Sequence, residues 1–195
     1  MKHLDLGCGL FPKNPYSADE LFGCDVRDIE AELKEKGVQF KAANLVVEPI
    51  PFPDNTFDSI SAMDFLEHIP RQIIDGKGHV KNSFVDLMNE IYRVLKPNGI
   101  LFASTPIYPH PWAFIDPTHV NIMTDQTYTY FTGDDCHGRM YGFNGNFEKI
   151  TARWETPNNF KDFNEPNYKK QLRRFHRRFF RGGLSHQLWE LKAIK

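Results

Sequence analysis

Residues 1–28 read MKHLDLGCGLFPKNPYSADELFGCDVRD, and the fold turns on them. His3 to Leu6 is a short apolar run that breaks abruptly into Gly7-Cys8-Gly9, and Leu21 to Val26 is a second such run containing Asp25. The pattern predicts strand, glycine loop, short connection, strand and carboxylate. In an open α/β sheet two such strand ends lie side by side at the carboxyl edge, where ligands bind. Glycine lets the backbone approach a ligand closely, because no Cβ intervenes. A carboxylate closing the second strand can accept both hydroxyls of a ribose. These residues therefore predict a site for a nucleoside-containing cofactor.

The dinucleotide fingerprint G-x-G-x-x-G is incomplete, since Pro12 stands where the third glycine would be. Pro12 and Pro15 also leave no room for a long crossover helix between Gly9 and Leu21. A helix N-terminus for a diphosphate is not expected. The pattern favours a cofactor with a ribose and no pyrophosphate.

Four blocks carry a resemblance: LDLGCG (4–9), FGCDV (22–26), PFPDNTFDSISAMDFLEHIP (51–70) and YRVLKPNGILFASTP (92–106). In this order the chain resembles the class I S-adenosylmethionine-dependent methyltransferases, of the type 11 kind. The resemblance covers residues 4–106, about half of the chain. It implies an α/β, Rossmann-like sheet of seven strands, mostly parallel with an antiparallel last strand, and helices on both faces. It implies S-adenosyl-L-methionine as cofactor. It further implies cofactor contacts from Asp5, Gly7, Cys8, Gly9, Asp25, Asn44, Leu45 and Asp64. Asp5 would orient the loop and the methionine ammonium, and Asp25 would hold the ribose hydroxyls. Related enzymes often carry Asp where this chain has Asn44, whose amide oxygen can accept the same adenine hydrogen bond. An ordinary turn residue is the plainer reading of Asn44.

The 195 residues suit one domain with a sizeable core. A net charge of −1 sets up no global field for nucleic acid. No apolar run of about 18 residues occurs, and no signal peptide is recognisable, so a soluble, cytoplasmic protein is expected. Cys8, Cys24 and Cys136 are scattered without C-x-x-C spacing, which argues against structural zinc, and no metal site is expected.

Along the chain, residues 28–36 predict a short polar helix closed by Gly37, and 38–42 a third strand. Residues 56–63 predict a fourth strand, with Asp64 and the Glu67-His68 pair just past its end. His68 reads either as a group facing the reaction or as a holder of the turn. Residues 71–81 form an irregular insertion. Phe84, Leu87, Met88, Ile91 and Leu95 repeat at i, i+3, i+4, i+7 and i+11, the stripe of a core helix. Lys96-Pro97-Asn98-Gly99 is a turn, and Ile100 to Ser104 a central strand.

Residues 107–145 are expected to form the substrate and lid region over the crevice. Asp116-Pro117-Thr118-His119 is its densest group of proton-moving side chains. His119 is the expected general base and Asp116 its partner, although both also read as loop-capping residues. A short helix is expected over 124–131. Strand one begins almost at Met1, where related methyltransferases carry helices that close the site. The lid would then come from 107–140, from the later insert or from a second subunit of a homo-oligomer.

Residues 146–155 and 185–194 alternate as strands six and seven. Between them, 157–183 holds a basic amphipathic helix. Lys170, Arg173, Arg174, Arg177, Arg178 and Arg181 share one face, with Leu172, Phe175 and Phe179 opposite. The plain reading packs the phenylalanines on the domain and leaves the cations in solvent. The functional readings are an anionic ligand or the anionic face of a membrane. The expected activity is methyl transfer to an O or N atom of a polar small molecule, such as a saccharide or a phosphorylated or lipid-linked intermediate. The alternatives are an RNA methyltransferase using the helix at 169–181, a non-catalytic cofactor-binding domain, and a nicotinamide oxidoreductase, which would want the third glycine.

Overall fold

The computed structural model describes residues 1–160, 163–180 and 183–195. Seven strands form the main sheet: β1 (Lys2–Leu6), β2 (Glu20–Asp25), β3 (Gln39–Ala42), β4 (Phe57–Met63), β7 (Leu95–Pro106), β8 (Phe147–Glu155) and β9 (His186–Ala193). Their spatial order is β3-β2-β1-β4-β7-β9-β8. Every pairing is parallel except the two made by β9, which runs antiparallel to β7 and to β8. This is the sheet expected from the sequence, with the last strand inserted as the antiparallel one.

The insertion after β4 is a small hairpin, β5 (Ile73–Ile74) with β6 (Val80–Lys81). The turn at 96–99 is a bulge inside β7. Leu95 pairs with Phe57 and Ile100 with Ser59, and Asn98 turns left-handed at φ +64°. Residues 124–131 contain a 3-10 turn, Thr127–Phe131, rather than the expected helix.

Side chains alternate across a strand, so each face of the sheet can be read from the sequence. On one face lie Leu4, Leu6, Ile60, Ala62, Leu101, Ala103, Trp189 and Leu191. Helix α2 (Ser83–Val94) covers them with Phe84, Leu87, Met88 and Ile91, the predicted stripe. Truncating one of these large aliphatic side chains to alanine would cost about 2–5 kcal/mol.

The opposite face is polar at its centre. His3 sits between Ser59 and Ser61, with Nδ1 2.7 Å and Nε2 2.8 Å from their hydroxyl oxygens. The Ser61 hydroxyl donates to Asp5 Oδ1 at 2.5 Å, and the Lys13 N–H donates to Asp5 Oδ2 at 2.8 Å. Every buried polar side chain in this row thus has a partner. Burial lowers the His3 imidazole to about 4 and raises the Asp5 carboxyl to about 7. Tyr16 lies edge-on to His3 and Phe102 and donates its hydroxyl to Glu190.

Two helical segments cover this second face. At the β3 end, α1 (Glu30–Lys34) packs Leu33 with Cys8, Val38 and Phe40. At the other end stand Phe160 and Phe163, both against Phe102, and the long helix α4 (Asn167–Phe180). The orientation of α4 reverses the plain expectation. Its half-buried residues include Lys170, Arg173, Arg174 and Arg177, whereas Tyr168, Leu172, Phe175 and Phe179 are exposed. The reason lies in what the inner face meets. Lys170 and Arg174 line a cleft with Glu155 and Glu190 of the sheet. Lys170 and Arg173 also donate to the carbonyls of Phe163 and Asn158, and Arg173 pairs with Glu165. Charge and carbonyl groups on the domain draw the cations inward. Arg181 lies outside the described residues.

Candidate active site

The glycine loop crosses the carboxyl end of β2. The Gly7 and Cys8 N–H groups donate to the Cys24 carbonyl, and both Gly7 and Gly9 have positive φ, +64° and +52°. A Cβ on Gly7 would stand 2.5 Å from Cδ2 of Phe65, so glycine is required there by space as well as by conformation. Asp25 accepts the Gly9 N–H at 3.0 Å and is gripped by Arg27 through its backbone N–H and guanidinium. Burial acts to raise the Asp25 carboxyl, but the Arg27 and Gly9 donors outweigh it and hold it below the usual carboxylate range. Arg27 itself is 63% exposed and can swing aside.

A cleft of about 420 Å³ opens beside this loop. Gly7, Asp25, Asn44, Leu45, Asp64 and His68 line it. The other three residues expected at the cofactor are placed differently. Asp5 lies beneath the loop with both oxygens engaged, so it supports the loop from inside. The Cys8 thiol packs under Gly23, and burial pushes it up to about 12. Gly9 contributes through its N–H to Asp25. The Asn44 oxygen accepts the Val46 N–H at 3.2 Å, the ordinary turn role.

Asp64 has the left-handed φ of +48° at the end of β4, and its N–H donates to the Ser104 carbonyl. Its Oδ1 lies 3.1 Å from Nε2 of His186. His186 is buried, shares Nδ1 with the Ser185 hydroxyl, and lies edge-on to Trp112. Sequence reasoning missed this residue. Only the register of β7 on β9, which sets Pro106 opposite His186, brings it to the crevice.

Past Asp64, a 3-10 turn (Leu66–His68) presents Glu67 and His68. The loop over it includes the short helix α3 (Trp112–Ile115). The Glu67 carbonyl straps this loop down by accepting the N–H groups of Val120 and Asn121 at 3.0 and 2.9 Å. The Glu67 carboxylate is buried and accepts the Thr105 hydroxyl on Oε2. Burial, with the charge of Asp64, raises it to about 8.

The expected pairing of Asp116 with His119 is not what the structure holds. Asp116 Oδ1 accepts the Thr118 N–H at 2.8 Å and the Thr118 hydroxyl at 2.6 Å. The Thr118 hydroxyl oxygen and carbonyl lie 3.0 and 3.3 Å from Nδ1 of His68. A carbonyl only accepts, so His68 Nδ1 carries the proton and its Nε2 keeps a lone pair. Asp116 therefore orients His68, through Thr118. The reason is local: an Asp two residues before Thr118 closes a tight turn on its N–H and hydroxyl. His119 instead donates from Nδ1 to the Ala113 carbonyl at 3.3 Å and turns Nε2 toward Glu67 Oε1 at 3.9 Å. The two imidazoles meet edge to face, with centroids 4.9 Å apart. Glu67, His68 and His119 each offer a ligand atom, all within 4.8 Å of one another, so the trio has the donor set for a divalent cation as well as for proton transfer. No sequence spacing signalled that cluster.

The cleft suits S-adenosylmethionine: a Cβ-free loop, a carboxylate at the end of β2 for a ribose, and a second carboxylate, Asp64, at the end of β4. Comparison with known proteins agrees. The family described as "Methyltransferase domain" matches residues 4–103, just over half of the chain. Squalene methyltransferase 1 of Botryococcus braunii is 34% identical over 117 residues, 53% of this chain and 27% of that protein. The chain therefore matches about a quarter of the length of that curated relative. An S-adenosylmethionine-dependent methyltransferase from Mesorhizobium loti superposes with TM-score 0.56 at 15% identity, covering 98% of this chain and 90% of its own. Phosphoethanolamine N-methyltransferase 1 of Haemonchus contortus, solved with phosphoethanolamine and S-adenosylhomocysteine, gives 0.61 at 10% identity over 99% of this chain and 39% of its own. At these identities the structural matches speak for the fold, and the family match for descent. The chain belongs to the class I S-adenosylmethionine-dependent methyltransferases.

Proposed function

We propose that the protein methylates an oxygen or nitrogen atom of a polar small molecule, with His68 as the base that receives the acceptor's proton. The observation that carries this reading is the place of His68. It lines the cofactor cleft, and its Nδ1 is tied to Thr118 so that the lone pair of the neutral ring lies on Nε2. S-adenosylmethionine, when bound, would supply an electrophilic sulfonium methyl for transfer to the acceptor, with S-adenosylhomocysteine as the leaving group. The chain itself positions the reactants and excludes water. Gly7 lets the loop approach the cofactor closely. Asp25 would take the ribose hydroxyls in exchange for Arg27, and Leu45 would lie against the adenine. Asp116 and Thr118 hold the His68 ring, and Glu67 holds the loop that covers it.

The acceptor we favour is a saccharide or a phosphorylated or lipid-linked intermediate. The partial likeness to a squalene methyltransferase supports a lipid component, and the aromatic loop around Trp112 supports a ring-shaped one. RNA is disfavoured, because a net charge of −1 sets up no global field for a polyanion. Calorimetric titration with S-adenosylmethionine and S-adenosylhomocysteine, for wild type and Asp25→Ala, tests the cofactor half. Micromolar binding lost in the variant is expected, and silence in the wild type would refute it. Turnover on lipid-linked and free saccharides tests the acceptor, and also separates an enzyme from a non-catalytic binding domain.

A further inference from the structure

The outer face of α4 has no use in the fold just described. Tyr168, Leu172, Phe175 and Phe179 recur at i, i+4, i+7 and i+11, one side of the helix, and are 66, 67, 56 and 62% exposed. Phe180 adds a further ring that is 70% exposed. The Phe175 ring lies 4.8 Å from that of Phe179 and 6.4 Å from that of Phe180, centroid to centroid. A surface helix normally buries such a stripe against its own core, and exposing it to water is costly. Between Asn167 and Phe180 the helix carries six cations and no carboxylate. Lys169 and Arg178 are exposed, Arg178 at the edge of a cleft with Arg153 and Trp154, and Lys170, Arg173, Arg174 and Arg177 sit half-buried along the inner face.

We propose that α4 is an interfacial membrane anchor, which lays its aromatic stripe into the surface of a bilayer containing anionic lipid. Charge complementarity selects this occupant. A second copy of the chain would bring the exposed cations beside the stripe, Lys169 and Arg178, against their own equivalents. An acidic peptide would answer the charge, but the stripe lies on the convex outside of a helix and offers no groove to hold one. A bilayer interface accepts a convex cylinder, sequesters the rings below the headgroups and neutralises the flanking arginines.

The position of the helix gives the anchor a consequence. Its C-terminal end leads into β9, whose first residue, His186, pairs with Pro106 at the carboxyl edge of the sheet. The Arg177 guanidinium stands 6.0 Å from the Trp112 ring, Trp112 packs on His186, and His186 holds Asp64 of the cofactor cleft. Docking therefore brings the mouth of the site close to the lipid surface. An acceptor with a lipid tail could enter without leaving the membrane.

The test uses the full-length protein and sedimentation with vesicles. It is independent of methyl transfer, so it stands or falls apart from the proposed activity. Wild type is expected to pellet with vesicles of phosphatidylglycerol and phosphatidylcholine, to pellet far less with phosphatidylcholine alone, and to release as salt is raised. The double variant Phe175→Glu, Phe179→Glu should lose at least tenfold in partitioning. Both positions are exposed, so its circular dichroism and thermal unfolding should match wild type. Wild type left in the supernatant with both vesicle types would overturn the proposal, as would a double variant that still pellets. Concentration-dependent dimerisation abolished by the double variant, without vesicle binding, would assign the stripe to a second copy instead.

Discussion

Asp116 reaches His68 and not His119: its carboxylate holds the Thr118 hydroxyl at 2.6 Å, and that hydroxyl lies 3.0 Å from His68 Nδ1. Donors on Thr118 also keep the Asp116 carboxyl below its usual range, so it stays ionised and accepting. The relay ties Asp116 to His68, whereas the sequence predicts His119 as the base and Asp116 as its partner. Thr118→Val should lower kcat about tenfold, because the ring loses its link to Asp116 and is held by the residue 118 carbonyl alone. His68→Gln should cost about 10²–10³-fold, within the range for a lost general base. S-adenosylhomocysteine affinity should change little in either. Steady-state kinetics beside calorimetry checks this, and full turnover in His68→Gln would remove His68 from the chemistry.

Arg27 occupies the Asp25 carboxylate oxygens that a ribose would take. Asp25→Ala should weaken S-adenosylhomocysteine binding by about 10–100-fold, the scale of hydrogen bonds to a charged group. Arg27→Ala should leave affinity unchanged or raise it, since Arg27 no longer has to be displaced. A loss in Arg27→Ala as large as that in Asp25→Ala would show that Arg27 contacts the cofactor instead.

Asp5 couples stability to pH. Its carboxyl is raised to about 7 in the folded chain from 3.8, so the fold favours the protonated form. That contribution is complete below pH 4 and is lost as pH rises through 7. His3, lowered to about 4, acts in the opposite sense: its contribution is present above pH 6.5 and is lost as pH falls through 4. Comparing wild type with Asp5→Asn cancels the His3 effect. The deficit of the variant in unfolding temperature should shrink between pH 5 and pH 8. A deficit constant across that range would contradict a raised carboxyl.

The trio of Glu67, His68 and His119 can be assigned by removing metal. As a proton-transfer group it needs none, so turnover should survive exhaustive dialysis against EDTA, and manganese should not shift the unfolding temperature. Turnover lost to EDTA and restored by manganese would assign the three side chains to a cation, held between His119 Nε2 and the buried Glu67 oxygen.

Much of the fold was legible because its signals are local. A run of alternating residues is a strand whatever lies beyond it, and the stripe on α2 reads at helical spacing from Phe84 to Ile91. The loop at Gly7 and Gly9 and the carboxylate at Asp25 follow from chain geometry within one β-loop-β unit, which is why five of the eight expected cofactor residues do line the cleft. The other three are placed differently for one reason: sequence cannot tell a residue that lines a cleft from one that props it. Asp5 and Cys8 point below the loop, and the Gly9 N–H is spent on Asp25.

The sequence by itself determined the strands, the antiparallel last strand, the glycine loop and the core stripe, because each depends on residues close together in the chain or on family-wide spacing. The tertiary structure alone decided which side chains meet across long separations. The register of β7 on β9 carries His186 to Asp64, and the turn at Thr118 delivers Asp116 to His68. It also decided which way α4 faces. An amphipathic helix has two faces, and its periodicity does not say which one turns inward. Here Glu155, Glu190 and the carbonyls of the insert waited beneath the helix, so the cations went in and the aromatic rings went out.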